Sequence, residues 1–240
     1  MIIHVMDDYE QMSIKAAGIV ADQVTAKSDT VLGLATGSTP EGMYRLLVEK
    51  HRRGMDFSRV VAFNLDEYIG LPPEHPQSYH YYMYHKFFKH INIPPQNINI
   101  PRGLADNFDR VCQEYDRRIN EAGGIDLLVL GVGRNGHIGF NEPNSRLNIG
   151  THVIGLTENT IKVNGRFFRS LEEVPRRAIT MGMGSILKAR KIVLLANGLN
   201  KALAIKETVS GKITTEVPVS LLQLHPNLLI IVDKGAASLI

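Results

Sequence analysis

The chain of 240 residues has one cysteine, Cys112, so it contains no intramolecular disulfide. Cys112 lies in DNFDRVCQEYDRRI, where Phe108, Val111, Cys112, Tyr115 and Ile119 share one helical face. It reads as a small core side chain rather than a nucleophile. Charge of one sign is also scarce. Lys and Arg number 27 against 24 Asp and Glu, a formal net charge of +3 that is evenly spread and argues against a nucleic-acid surface. A few local cations can still dominate a pocket, so the balance suits an anionic small molecule. No apolar run approaches the ~20 residues that cross a bilayer. The opening MIIHVMDDYE has no cationic stretch leading into an apolar one, so the expectation is a soluble, cytoplasmic protein. Repeats, low-complexity segments and linkers are missing, which leaves one domain over residues 1–240.

Two further absences narrow the chemistry. There is no Gly-Lys-Ser/Thr, which excludes the phosphate loop of nucleotide triphosphatases. His75, His80, His85 and His90 recur regularly through a Tyr-rich stretch, but that interval carries each side chain about 140° round a helix, so they cannot converge on a metal. No other His, Cys or carboxylate spacing fits a zinc site, and the expectation is no metal.

What the sequence does have is a series of short, continuous apolar runs: TVLGLA (30–35), VVAFNL (60–65), IDLLVLGV (125–132), AITMGM (178–183), KIVLLA (191–196) and LLIIVD (228–233). Continuity rather than alternation reads as strands buried on both faces. Helical patterns intervene at EQMSIKAAGIVADQV, PEGMYRLLVEKHRRG, 78–91, 106–122 and NKALAIKETVSG. Strand and helix in alternation predict an α/β fold with a doubly wound, mostly parallel sheet. The polar, weakly periodic stretch 144–177 reads as a lid.

Ligands in such sheets bind beyond the carboxyl ends of strands, and three informative loops follow strands directly. In ATGSTPEG, Thr36, Gly37, Ser38 and Thr39 precede Pro40, and a helix N-terminus with a close-approach glycine suits a phosphate. The competing reading is an ordinary N-cap at Thr39. In NLDEYIG, Asp66 and Glu67 are adjacent acids: either Asp66 is a buried carboxylate base with raised proton affinity, or the pair are solvated loop carboxylates or a cap for the next helix. In GVGRNGHIGFNEP, Gly131, Gly133 and Gly136 have the spacing of a dinucleotide fingerprint. That fingerprint opens a helix, whereas Gly139 and Pro143 work against one here. The loop therefore reads as a catalytic floor carrying His137, Asn141 and Glu142, with no nicotinamide cofactor.

Together TGSTP, FNLDEYIGLPPEHPQSYHYYM, GVGRNGHIGFNEP, NGRFF and NKALA resemble the glucosamine-6-phosphate deaminases, in family order from about Val31 to Asp233. The resemblance implies a modified Rossmann-like fold shared with phosphosugar isomerases and 6-phosphogluconolactonases. It implies cofactor-independent conversion of glucosamine 6-phosphate and water to fructose 6-phosphate and ammonia, in amino-sugar catabolism. By the same resemblance Asp66 is the enolisation base and His137 the ring-opening base. Glu142 and Asn135 flank the imidazole, Asn135 standing where many members carry Asp and still able to accept a hydrogen bond from the ring. Thr36, Gly37, Ser38, Thr39, Arg166 and Lys201 are the implied phosphate anchors.

Members activated by N-acetylglucosamine 6-phosphate carry Arg-x-Lys-Thr shortly after FNEP. Here the corresponding stretch is His152, Val153, Ile154 and Gly155, and no C-terminal extension follows the last strand. Hyperbolic kinetics are expected, in a monomer or small oligomer that needs no hexamer. The alternatives are a lactonase or phosphosugar isomerase on the same fold, or a non-catalytic sugar-phosphate sensor.

Overall fold

The computed structural model describes residues 1–165 and 168–240. Its ten strands are β1 (Ile2–Met6), β2 (Val31–Leu34), β3 (Val61–Asn64), β4 (Asp66–Tyr68), β5 (Ile98–Asn99), β6 (Leu127–Gly131), β7 (His152–Gly155), β8 (Arg177–Thr180), β9 (Ile192–Ala196) and β10 (Leu228–Asp233). Its helices are α1 (Tyr9–Ala26), α2 (Glu41–Arg52), α3 (Tyr79–Lys86), α4 (Phe108–Glu121), α5 (Glu158–Asn164), α6 (Met183–Leu187) and α7 (Ala202–Thr208). Seven strands form one sheet in the order β1-β10-β9-β6-β2-β3-β5, and every pairing in it is parallel.

The continuous apolar runs have a simple cause. Successive side chains of a strand point to opposite faces. On β6, Leu127 and Val129 enter the core under α1 and α2, while Leu128 and Leu130 enter the core shared with α4 and α7. Helices cover both faces, so β2 is buried throughout and β6 is buried up to Gly131 at its end. Every residue of β9 is buried. The α/β, mostly parallel architecture expected from the sequence is present. Among the described residues no helix is long and apolar enough to cross a membrane. Cys112 is buried in α4, and burial pushes its thiol up to about 11, in line with a packing role.

One expected strand belongs elsewhere. AITMGM does not join the parallel sheet. Its first half is β8, which pairs antiparallel with β4 and β7 in a separate three-stranded sheet. Its second half turns at Gly182 into α6. Residues 178–183 are all buried, Thr180 among them, with Met181 donating its N–H to the Leu65 carbonyl at 2.7 Å. The small sheet contributes a third apolar cluster of Tyr68, Phe140, Leu156, Ile161, Val174 and Ala178. The stretch expected as a lid is thus partly woven into structure. It contains β7 and α5, and the Thr151 N–H and hydroxyl bind Asp116 of α4 at 2.8 and 2.6 Å.

Candidate active site

The loop after β2 is fixed by aromatic hydroxyls. Gly37 has φ +95°, a left-handed conformation that glycine adopts without a Cβ penalty. Its carbonyl accepts from the Tyr82 hydroxyl at 2.6 Å, and that of Ser38 accepts from Tyr9 at 3.0 Å. Tyr9 in turn accepts the Gly42 N–H of the first turn of α2 at 2.8 Å. Thr39 does not cap α2. Pro40 is already helical at φ −83° and ψ −2°, and the Thr39 hydroxyl donates to Asn197 at 3.0 Å, bridging to the loop after β9. The helix start therefore keeps its positive end without a side-chain cap, facing the loop that carries Lys201.

The adjacent acids Asp66 and Glu67 divide the two readings between them. Glu67, 1% exposed, is a structural cap: its carboxylate accepts the N–H groups of Tyr79 and His80 at the start of α3, the Tyr68 N–H, and His80 Nδ1, all within 2.9 Å. Asp66 points the other way, because neighbours on a strand face opposite sides. It is 6% exposed, and among the described residues no donor reaches its carboxyl. Burial, followed by the charge of Glu67, pushes it up to about 8.

Asp66 faces the glycine loop. Gly139 has φ +58°, and a Cβ there would lie 2.9 Å from Thr180 Oγ1 and 3.1 Å from Asp66 Oδ2. Only glycine lets the loop pass this close. After β6 the chain turns back at once: the Gly133 N–H binds the His137 carbonyl at 2.9 Å, and the Gly136 N–H the Gly133 carbonyl at 3.1 Å. The His137 ring lies against Gly133, where any Cβ would collide with it. Residues 137–157 contain no helix, so the glycines do not open one as a dinucleotide fingerprint would. Asn141 locks the loop by donating to the carbonyls of Ile138 and Met181 at 3.0 and 2.9 Å.

Glu142 is also 6% exposed, in opposite surroundings. Its Oε2 lies 3.4 Å from His137 Nδ1, close enough to interact as an ion pair though outside hydrogen-bond geometry. Burial alone would raise its proton affinity. The imidazole, the Thr160 hydroxyl and the Asn135 amide outweigh burial and hold the carboxyl down at about 2. Contrary to the expectation from the sequence, Asn135 does not accept from the imidazole. Its Nδ2 donates to Glu142 Oε2 at 2.7 Å, while its Oδ1 accepts the His137 N–H at 3.3 Å. A strong anionic acceptor takes the amide donor first.

Lys201, in the turn before α7, donates to the Val132 carbonyl at 2.8 Å and so stands beside the same loop. Asp66, Asn135, His137, Glu142, the 36–39 loop and Lys201 all lie at the carboxyl end of the parallel sheet. Arg166 lies outside the described residues. The regular histidines diverge. His80 serves Glu67, His85 stacks on Tyr81 at 4.0 Å, and His75 accepts the Gln77 N–H. Among the described residues no group of three His, Cys, Asp or Glu side chains is placed to hold a metal. Tyr9, Tyr82 and Thr160 are site-shaping residues that the sequence did not single out; each acts through one hydroxyl, which leaves no periodic signal.

An α/β fold with this crevice defines a sugar-phosphate enzyme class, and the comparisons agree. Residues 8–230 match the profile of the glucosamine-6-phosphate isomerases/6-phosphogluconolactonase family. The chain is 62% identical over 97% of its length to a glucosamine-6-phosphate deaminase of Thermoanaerobacter pseudethanolicus, covering 92% of that protein. A solved monomeric glucosamine-6-phosphate deaminase superposes with TM-score 0.97 at 43% identity, both chains fully covered. The 6-phosphogluconolactonase of Trypanosoma cruzi, at 20% identity, 99% and 96% coverage and TM-score 0.79, shares the fold. The chain belongs to the glucosamine-6-phosphate isomerase/6-phosphogluconolactonase family.

Proposed function

We propose that this chain converts D-glucosamine 6-phosphate and water into D-fructose 6-phosphate and ammonia. The observation that carries this reading is the Asp66 carboxyl, buried without a donor among the described residues and set against Gly139 of the loop that carries His137, where burial pushes it up to about 8. An aldose–ketose step moves a proton between adjacent carbons, and a carboxyl poised near the working pH both takes and returns it. Lactone hydrolysis has no carbon-bound proton to move, so it makes no use of such a group.

His137 accepts the anomeric hydroxyl proton and delivers one to the ring oxygen, opening the sugar. Asp66 takes the C2 proton, giving an enolamine, and returns it to C1. The resulting ketimine adds water and expels ammonia. Glu142 and Asn135 hold the imidazole in place. The α2 start with Thr36, Gly37, Ser38 and Thr39, together with Lys201 and Arg166, anchors the phosphate. The segment between β7 and β8 closes over the bound sugar.

The reaction runs without metal or nicotinamide, in a cytoplasmic monomer or small oligomer. With His152, Val153, Ile154 and Gly155 offering no Arg-x-Lys-Thr set, rate curves are hyperbolic and indifferent to N-acetylglucosamine 6-phosphate. The deciding experiment is a coupled assay for ammonia and fructose 6-phosphate from purified protein in excess chelator. Binding of the sugar phosphate without either product would reject the reading in favour of a sensor.

A further inference from the structure

Thr160 lies in α5, well apart in sequence from the three loops. Its hydroxyl is buried and donates to Glu142 Oε1 at 2.7 Å. The direction of that bond is fixed from behind. Thr157, the N-cap of α5, donates its own hydroxyl to Thr160 Oγ1 at 3.0 Å and accepts the Thr160 N–H at 3.2 Å. With one lone pair of Thr160 Oγ1 so engaged, its single proton goes to Glu142. The two Glu142 oxygens are thereby held by different elements: Oε1 by Thr160, and Oε2 by the Asn135 amide at 2.7 Å. Oε2 also approaches His137 Nδ1, at 3.4 Å. Packing keeps α5 in register, since Ile161, the next residue, is buried in the cluster of Tyr68, Phe140 and Leu156.

We propose that Thr160 is a positioning residue: its hydroxyl, aimed by Thr157, pins one oxygen of Glu142 so that the other stays charged and directed at His137. The inference rests on the deaminase reading above, and it extends the site to α5. A carboxylate held at one oxygen only would rotate about its terminal bond, and the imidazole would lose its fixed partner.

The test is a double-mutant cycle. Thr160→Val keeps the shape and removes the hydroxyl. It should lower kcat about tenfold, the loss of one hydrogen bond to a charged group, with KM for glucosamine 6-phosphate within about twofold. Thr160→Ser should recover most of the rate. In a Glu142→Ala background, which removes the oxygen that Thr160 holds, Thr160→Val should cost nothing further, because its effect runs through that carboxylate. A merely structural role would instead give multiplying losses and no rescue by Ser, and that outcome overturns the proposal. Carbon-13 NMR of the Glu142 carboxyl gives a readout free of turnover. Its midpoint, held below the ordinary carboxylate range, should rise in Thr160→Val and return in Thr160→Ser. An unmoved midpoint refutes the positioning role even if the wild type releases no ammonia, whereas that absence alone refutes only the reaction. Urea midpoints for all variants, with Thr160→Ala as a second truncation, separate misfolding from mispositioning.

Discussion

Asp66 and Asp126 are the same residue type, each 6% exposed, Asp66 just past the carboxyl end of β3 and Asp126 at the opposite end of the parallel sheet. Asp126, just before β6, is saturated with donors: Lys27 and Arg190 at 2.7 Å, the Val31 N–H at 2.8 Å and the Thr30 hydroxyl at 3.2 Å. Burial opposes its charge, but these partners prevail and its carboxyl sits below the usual range. Asp66 has the burial without the partners and is pushed up to about 8. One end of the sheet neutralises a hidden charge and gains stability. The other leaves it unneutralised, at a cost to stability, where the proposed reaction would move a proton.

The largest effect should come from Asp66→Asn. It keeps the shape of the protonated side chain and removes the base, so kcat should fall by ~10²–10⁴ with KM changed only a few-fold. Hydrogen exchange between solvent and the substrate carbon, undiminished in this variant, would dissolve the functional half of the comparison.

Next comes Glu142→Gln, which removes the charge facing His137 but keeps a side chain able to meet Asn135 and Thr160. A charge-assisted contact of about 1.5–3 kcal/mol corresponds to a loss of roughly 10–100-fold in kcat. Activity within twofold of wild type would mean that the imidazole needs no anionic partner.

Stability sharpens the same contrast, with opposite signs. Asp66 has a folded value near 8 against an ordinary 3.8, so between those values the folded state holds a proton that the unfolded state has released. Stability therefore declines as pH rises through that window. Asp66→Asn should remove this decline and be more stable than wild type at pH 8, by on the order of a few kcal/mol. Asp126 has a folded value below the ordinary one, so its contribution is present above that ordinary value and is lost as pH falls. Asp126→Asn should destabilise by about 2 kcal/mol at neutral pH while leaving kcat of the folded enzyme unchanged. Urea titrations of both variants across pH 4–8 check the pair; the same sign for both would end the comparison.

The sequence disclosed the parallel sheet because both its faces are covered, and a continuous run such as LLVL is what two-sided burial demands. It disclosed less at the edge of the sheet and in the small sheet. β1 is an edge strand with exposed Ile2 and Val5, and β4 reads as DEY, three residues whose pairing with β8 is set only by tertiary contact. AITMGM carries an apolar signal identical to that of a parallel strand, since composition reports burial and not strand direction. In the site, Asp66, His137 and Glu142 were legible from their loops. The division of labour between Asp66 and Glu67 was not, because it depends on which side of a strand α3 begins. Thr160 stayed hidden because its partner is eighteen residues away, in another loop.

The smallest effect expected is also the finest probe of the Glu142 side: Asn135→Asp. In the wild type the Asn135 amide donates to Glu142 Oε2 at 2.7 Å and helps hold that carboxyl near 2. Aspartate would replace a donor with a second negative charge at the same distance, and two such carboxylates share a proton over part of the pH range. The pair's upper titration should then rise, and the variant should be about 1 kcal/mol less stable than wild type at pH 8, where both groups are charged. Because the folded variant takes up a proton that its unfolded chain lacks, the deficit should shrink as pH falls. Turnover at pH 8 should stay within about fivefold, since Thr160 still pins Oε1 and Glu142 still faces His137. A variant as stable as the wild type at every pH would mean that the amide does not act through Glu142. The imidazole would then be the partner of position 135 after all, and Glu142 would owe its low value to Thr160 and His137 alone.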